Sequence, residues 1–464
     1  MIKRVWAALP LTWPLGQRRS TENDRVAASV NGLAWPVIIE NLLQTLLGVV
    51  DLIFVSALGA AAVAGVGAAL QVLWVIQSAF SALTTGTTVM VAHAIGAKHP
   101  TEANRVLKQS LLIGAVLSLL VGVIGALWAE PILALLGGEP EVVADGVAYF
   151  RVGAITGVFM LAMFIMGAAM RGAGDSKTPM KVNALANVVN VILAWALIFG
   201  HLGMPALGVA GSAWAAGIAR GVGTAIMLAV LMRGRGPLSL DWRPPWAPDL
   251  GLLRRTLRIG IPSMIEMVLM SAGMLVYGVF AIHLGTDVYA AQRITLNAIS
   301  FAFMPGLGYA MAATALTGQA LGAKDPARAK ASTSYATYSA LAFMTFVALI
   351  MFFFGRQVMR IFTPDPELIE IGAEALKVVA IAQPFQAVGQ VLAGSLRGAG
   401  DTRFPMWVTA GSIWLVRLPL AYLFGPVMGL GLAAIYISNV IDSAVRMVLM
   451  IWRYTQGKWL TMRV

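Results

Sequence analysis

A chain of 464 residues that is 59% hydrophobic and only 12% charged has too few polar side chains to coat a water-soluble body, in which about a quarter would be charged. It contains no cysteine, which removes disulfides, thiolate nucleophiles and Cys-ligated zinc. The net charge of +12 falls in short clusters between apolar runs, the pattern of a membrane protein's loops and not of a nucleic-acid-binding face, so no nucleic-acid partner is expected.

Residues 1–31 do not read as a signal peptide. Lys3 and Arg4 precede an apolar stretch, but Pro10 and Pro14 interrupt it and no small-residue cleavage site follows. A cytoplasmic or interfacial segment is expected, with Trp6 and Trp13 at the headgroup level. A membrane span needs roughly twenty apolar residues. Six such stretches lie within 32–232, at about 32–57, 64–93, 106–128, 147–170, 180–201 and 208–232. A cytoplasmic linker, 233–256, carries Pro237, Pro244, Pro245 and Pro248. Six more stretches lie within 257–464, at about 257–283, 289–319, 332–354, 374–396, 404–425 and 429–452. Backbone polar groups cannot be left open in lipid, and the period-two alternation of a barrel is missing, so all twelve are expected to be helices.

The two halves are one unit written twice. RGAGDSKTPM from Arg171 to Met180 returns as RGAGDTRFPM from Arg397 to Met406, an offset of 397 − 171 = 226. The same shift puts Pro36 on Pro262, Glu40 on Glu266, Gly96-Ala97-Lys98 on Gly322-Ala323-Lys324, and Arg220 on Arg446. Repeats of this kind mark secondary transporters. Of the 33 Lys and Arg, 26 fall at the termini and on alternate connections, and five on the opposite connections. The positive-inside rule then puts both termini in the cytoplasm. Six spans per half is an even number, so both halves enter the membrane in the same direction, and a pseudo-twofold axis along the membrane normal is expected.

The RGAGD stretches read as tight cytoplasmic turns. Arg171 favours a helix C-terminus, Gly172 and Gly174 allow positive φ, and Asp175 can cap the next helix. A phosphate-binding loop is excluded because Ser176 precedes Lys177 where glycine is needed, and the copy has Arg403 and Phe404.

Ionisable residues inside apolar spans are functional by default. Glu40 and Asp51 in the first span lie 51 − 40 = 11 residues apart, so they face within about 20° of each other, roughly 16 Å apart along the helix. Gln44 shares their face. The fifth span carries Asn183, Asn187 and Asn190 as a polar stripe, and in the second half Glu266 keeps its place while Gln383, Gln386 and Gln390 line one face of the tenth span, with Arg417 in the eleventh. Asp51, Glu40 and Glu266 are therefore the candidate ion-coupling acids. Gln44, the three asparagines, the three glutamines and Arg417 are candidates for a polar cavity. Asp442 and Arg446, four apart, are expected to pair. Arg220 and Arg446 are expected to reach the cytoplasmic headgroups from the ends of their spans. No catalytic triad, HExxH or Cys/His ligand set exists, so an enzyme is not expected, and neither is a cofactor.

The set Pro36…Asp51 followed by LxG, GAK after the second span, RGAGD before the fifth, NVVNVILAWALIFG within it and FMPGLGYAMAATALTGQALGA in the eighth resembles the multidrug and toxic compound extrusion (MATE) family of prokaryotic antiporters. The resemblance covers about residues 30 to 450. It implies two six-helix bundles around a central cavity, and efflux of amphiphilic, mainly cationic, organic compounds in exchange for H⁺ or Na⁺. It also implies an inner (plasma) membrane location, a coupling role for Asp51 and Asn190 with Na⁺ as one candidate ion beside them, and no partner beyond lipid, substrate and ion, so a monomer is expected. Two positions depart from the family's ion sites, Ala194 and Met270, which leaves the ion and the coupling half open. Within the wider superfamily a lipid-linked saccharide flippase is the alternative, less suited to the acids inside this chain. Three membrane carboxylates also lead us to expect more than one ion per cargo, hence electrogenic exchange.

Overall fold

The computed structural model describes residues 21–137, 139–234, 236–240 and 247–462. Twelve long helices run through the described residues: span one (Thr21–Ser56), two (Ala60–Gly96), three (Pro100–Leu127), four (Pro140–Gly172), five (Lys177–Phe199) and six (Val209–Met232), then seven (Leu250–Ile282), eight (Thr286–Gly322), nine (Pro326–Arg360), ten (Pro366–Gly398), eleven (Arg403–Val427) and twelve (Gly431–Thr455). Eleven of them are long and apolar enough to cross a membrane. Span ten falls outside that set because Gln383, Gln386 and Gln390 sit in its apolar stretch. The helices overrun the expected apolar stretches at their ends, since a helix continues into the polar headgroup region after its hydrocarbon-spanning part is complete. Span one begins at Thr21 with Glu22 and Asp24 in its first turn, where acids favour the helix dipole. The expected interfacial Trp6 and Trp13 lie outside the described residues. A short helix, Ala129–Ala134, was not expected.

The chain forms two compact units. The N-terminal unit is Ile39–Ile261; the C-terminal unit is Pro262–Val464 with the chain up to Ile38. The division falls inside spans one and seven, beside Pro36 and Pro262. A proline inside a helix removes one backbone hydrogen bond and kinks the axis, so each helix can leave one packing unit and enter the other there. The N-terminal part of span seven packs within the N-terminal unit, where a Cβ on Gly260 would collide with the Ala82 carbonyl. The first turns of span one pack within the C-terminal unit, where a Cβ on Gly308 would run into Ile38 and the Ala34 carbonyl. These are the same pair of positions in the two halves, 260 − 34 = 308 − 82 = 226. Asn31 adds hydrogen bonds to Tyr335 (2.9 Å) and Tyr309 (3.4 Å), and Trp35 meets Phe343 edge-on at 5.8 Å.

The repeat extends to the backbone. Gly59 and Gly285 have φ of 115° and 121°, Lys98 and Lys324 of 60° and 58°, and Gly174 and Gly400 of 95° and 92°. Each RGAGD turn closes by an N–H bonded to the carbonyl five residues back: Asp175 to Met170 O at 2.8 Å and Asp401 to Leu396 O at 2.9 Å, a helix end that needs a left-handed residue. Asp175 accepts from the Thr178 N–H (3.0 Å) and hydroxyl (2.6 Å), as a cap for span five.

Spans five and eleven differ. Span eleven contains two π-helical segments, Ile413–Arg417 and Leu423–Val427. Pro419 follows the first and Pro426 lies in the second, and each removes an N–H and crowds the carbonyl four residues back, which favours the wider π register. The corresponding residues in the first half are Leu193 and Gly200, and span five is regular to its end.

Candidate functional site

The acids expected in the membrane sort into two kinds of environment. In the N-terminal unit, Glu40 of span one meets Arg171, the first residue of the RGAGD turn, at 3.3 Å, and accepts from Asn183 Nδ2 of span five at 2.9 Å. In the C-terminal unit, Glu266 of span seven meets Arg397 at 2.6 Å and accepts from the Thr409 hydroxyl at 2.8 Å. The two triads are one arrangement used twice, since 397 − 266 = 171 − 40 = 131. The RGAGD arginine is therefore more than a helix-end cation: it neutralises the acid of another span. Its role was missed in the sequence because it sits in a loop motif. The signal was present in the constant spacing of 131 in both halves.

Asp51 is different. Asn190 Nδ2 approaches its two carboxylate oxygens at 3.5 and 3.4 Å, and among the described residues no ion pair reaches it. Asn190 is 2% exposed, and its Oδ1 is buried with no hydrogen-bond partner. Leaving an amide oxygen unpaired in a buried site costs about 1–3 kcal/mol. A half-buried carboxylate beside an orphaned amide oxygen supplies two oxygen donors of the hard type that a cation such as Na⁺ takes. Among the described residues no cluster of three or more His, Cys, Asp or Glu exists, so a Na⁺ here would complete its shell with neutral oxygens. Arg220 of span six lies within electrostatic reach of Asp51 and of Tyr149. Asn187 is half-buried and Gln44 exposed.

In the C-terminal unit the position of Asp51 is taken by Tyr277. The Arg417 guanidinium stacks over the Tyr277 ring at 4.4 Å, and the Tyr277 hydroxyl donates to Ile435 O at 3.0 Å. Gln386 lies 3.1 Å from Asn439 and 3.3 Å from Ser443 of span twelve. Gln383 is fully buried with both amide atoms unpartnered, and Gln390 packs against Gly306 with both of its own unpartnered. Asp442 and Arg446 pair as expected, at 2.6 and 3.1 Å, and Arg446 also donates to Ser412 at 2.8 Å. That pairing replaces the expected headgroup contact of Arg446.

The linker is held to span three within the N-terminal unit. Asn104 exchanges hydrogen bonds with Ser239 (3.1 and 2.9 Å), Gln109 bonds Ala247 O (2.7 Å) and the Asp249 N–H (3.0 Å), and Arg105 meets Asp249 at 2.8 Å. The Leu252 N–H, and after it Arg105, hold the Asp249 carboxyl below the ordinary carboxylate range.

Comparison with known proteins agrees with the repeat. The MatE family model matches twice, over residues 36–196 and 262–423, and the second match starts 262 − 36 = 226 residues after the first. The chain is 33% identical over 429 residues to the probable multidrug resistance protein NorM of Thermotoga maritima, covering 92% of each chain. It is 30% identical over 434 residues to the uncharacterized transporter YisQ of Bacillus subtilis, covering 93% of this chain and 95% of that one. Among solved structures, the fold matches an outward-facing multidrug resistance MATE family transporter of the MOP superfamily with a TM-score of 0.87, at 22% identity, over 96% of this chain and 100% of that one. The chain is a multi-pass membrane protein and belongs to the multidrug and toxic compound extrusion (MATE) family of transporters.

Proposed function

We propose that this protein is an antiporter of the plasma membrane, with both termini cytoplasmic, that exports amphiphilic organic cations in exchange for H⁺ or Na⁺ and couples the two through Asp51. Asp51 with Asn190 carries this reading: of the three candidate acids it alone has no guanidinium bonded to it, and its amide neighbour has an oxygen to offer. A carboxylate in that setting can hold a proton or a cation in turn, because burial favours the neutral form and a bound cation favours the charged one. The relatives named for multidrug resistance support an amphiphilic drug-like cargo. Glu40 and Glu266, with Arg171 and Arg397 already bonded, join the coupling only if those arginines let go. We assign them to holding spans one and seven beside their prolines.

The test uses the full chain in proteoliposomes loaded with buffer and given an imposed pH or Na⁺ gradient, with ethidium as the organic cation. Accumulation against the ethidium gradient is expected under one of the two gradients, and that gradient names the ion. Ethidium that only equilibrates under both, with functional protein confirmed by counterflow, would contradict ion coupling.

A further inference from the structure

We infer that the C-terminal unit contains a site for an anionic group, centred on Arg417. The case starts from charge. Within the spans of this unit Glu266 is neutralised by Arg397 and Asp442 by Arg446. Arg417 is 9% exposed, and among the described residues no carboxylate pairs with it. A buried cation without a counter-charge is strongly unfavourable in a membrane setting, so such a group is either mispaired or waiting for an anion.

The surroundings are built for the second outcome. The guanidinium is fixed on one face by the Tyr277 ring at 4.4 Å. Asn439, with its amide oxygen toward Arg417, lies 3.3 and 3.2 Å from the two terminal nitrogens. The Arg417 Nε has no partner, so one edge of a planar donor set is left over, the edge that a carboxylate would take. Further donors lie around it. The Tyr436 hydroxyl is buried without a partner, and the Tyr436 ring is 5.9 Å from that of Tyr277. Gln386 lies beside the other amide atom of Asn439, at 3.1 Å, and one turn away along span ten Gln383 is fully buried with both amide atoms unsatisfied.

The backbone singles out the same residue. Arg417 ends the first π-helical segment of span eleven, and π-bulges inside helices occur frequently at functional sites. The repeat sharpens the contrast: at an offset of 226, Arg417 replaces Val191, Tyr277 replaces Asp51, Asn439 replaces Ala213 and Gln383 replaces Gly157. The first half carries other residues at all four positions, so the shared repeat does not itself call for this set. Where one unit carries an unpaired acid, the other carries an unpaired base. The group it takes is a carboxylate or similar monovalent anion, either the acidic arm of a cargo or a free anion. The choice of a cationic dye as probe rests on the export reading above; the anion site itself does not.

The experiment uses the full chain purified in detergent, at equilibrium and without gradients, so that a failure of ion coupling leaves it readable. The probes are rhodamine B, which carries a carboxylate, and its ethyl ester, which does not, with affinity read from fluorescence anisotropy. Chloride replaced by methanesulfonate, which is bulkier, a weaker hydrogen-bond acceptor and not a carboxylate, at constant ionic strength is the second arm, read as the unfolding midpoint. A cargo carboxylate predicts tighter binding of the acid than the ester in wild type. Arg417→Gln should then weaken the acid about tenfold or more, as for loss of a charge-assisted hydrogen bond, with the ester changed less than about twofold. Arg417→Lys should keep part of the preference. A free anion predicts a midpoint raised by chloride in wild type and not in Arg417→Gln, with no preference between the dyes. Wild type that neither distinguishes acid from ester nor responds to chloride would overturn the inference, and needs no variant to fold. Equal loss of both dyes in Arg417→Gln, with no chloride response in wild type, would reduce Arg417 to a packing role.

Discussion

The buried pair of Glu266 and Arg397 offers the sharpest energetic test, because its counterpart in the other half is an internal control. Arg397→Gln removes the guanidinium at 2.6 Å and leaves Glu266, 7% exposed, with only the Thr409 hydroxyl. Breaking one partner of a buried ion pair costs about 3–5 kcal/mol. Arg397 is itself 26% exposed on its side chain, so water partly screens the pair and the lower end, roughly 3 kcal/mol, applies. Glu266→Gln with Arg397→Gln removes both charges, and should recover more than half of that loss. The Glu40–Arg171 pair is longer, at 3.3 Å, and Glu40 keeps a 2.9 Å bond from Asn183. Arg171→Gln should therefore cost less, under about 2 kcal/mol. The assay is unfolding by sodium dodecyl sulfate in mixed micelles, followed by helical circular dichroism, for the four proteins of each cycle. Single losses that add in the double variant would show that the charges do not interact, and a larger cost at Arg171 than at Arg397 would refute the geometric ranking.

The remaining expectations are more local. Lys177→Ala should leave transport within about twofold of wild type, because the RGAGD turn closes through backbone bonds and Asp175; an ATP requirement in vesicles that already hold an ion gradient would say otherwise. Gly260→Val should impair folding more than Gly278→Val, since Gly260 touches the Ala82 carbonyl while a Cβ on Gly278 would meet only the edge of the Tyr289 ring at 4.0 Å; the readout is the monodisperse fraction on size exclusion. Asp249 has its carboxyl pKa depressed in the folded chain, so its hold on the linker is complete above the ordinary value near 4 and is lost as pH falls through the lower folded value. Hydrogen exchange across 247–252 should accelerate there in wild type and be fast at all pH in Asp249→Asn. Because the chain has no cysteine, Ser239→Cys reports orientation: an impermeant thiol reagent outside intact cells should leave it unlabelled, and labelling would reverse the topology. Finally, two of the three candidate coupling acids are tied to arginine, and from this we propose one ion per cargo in place of the electrogenic exchange expected from the sequence. Ethidium flux at a fixed ion gradient should then ignore an imposed potassium diffusion potential, and a strong response would require a second coupled charge.

Much of this was legible in the chain. Apolar stretches of span length determine the helices, and charged or proline matches at a single offset expose the repeat because chance cannot supply them. Asp51 and Asn190 were legible as polar residues on apolar helices. What was not legible depends on tertiary contact. Arg171 and Arg397 end spans four and ten just before a glycine turn, and nothing local says that they reach back to Glu40 and Glu266. The exchange of helix ends at Pro36 and Pro262 cannot be read from hydropathy, which follows one helix regardless of what packs on it. Arg417 was legible as a costly residue, but its place over Tyr277 depends on a π-helical register that proline permits and does not dictate.

If Asp51 couples ion to cargo, uphill and downhill transport must part company in a single variant. Asp51→Asn keeps the side-chain shape and its neighbour Asn190 while removing the charge. Ethidium counterflow, which needs no ion gradient, should persist in the Asp51→Asn protein, whereas accumulation driven by the imposed gradient should fall to the level of empty liposomes. Accumulation at the wild-type ratio in that same protein would place the coupling elsewhere than Asp51.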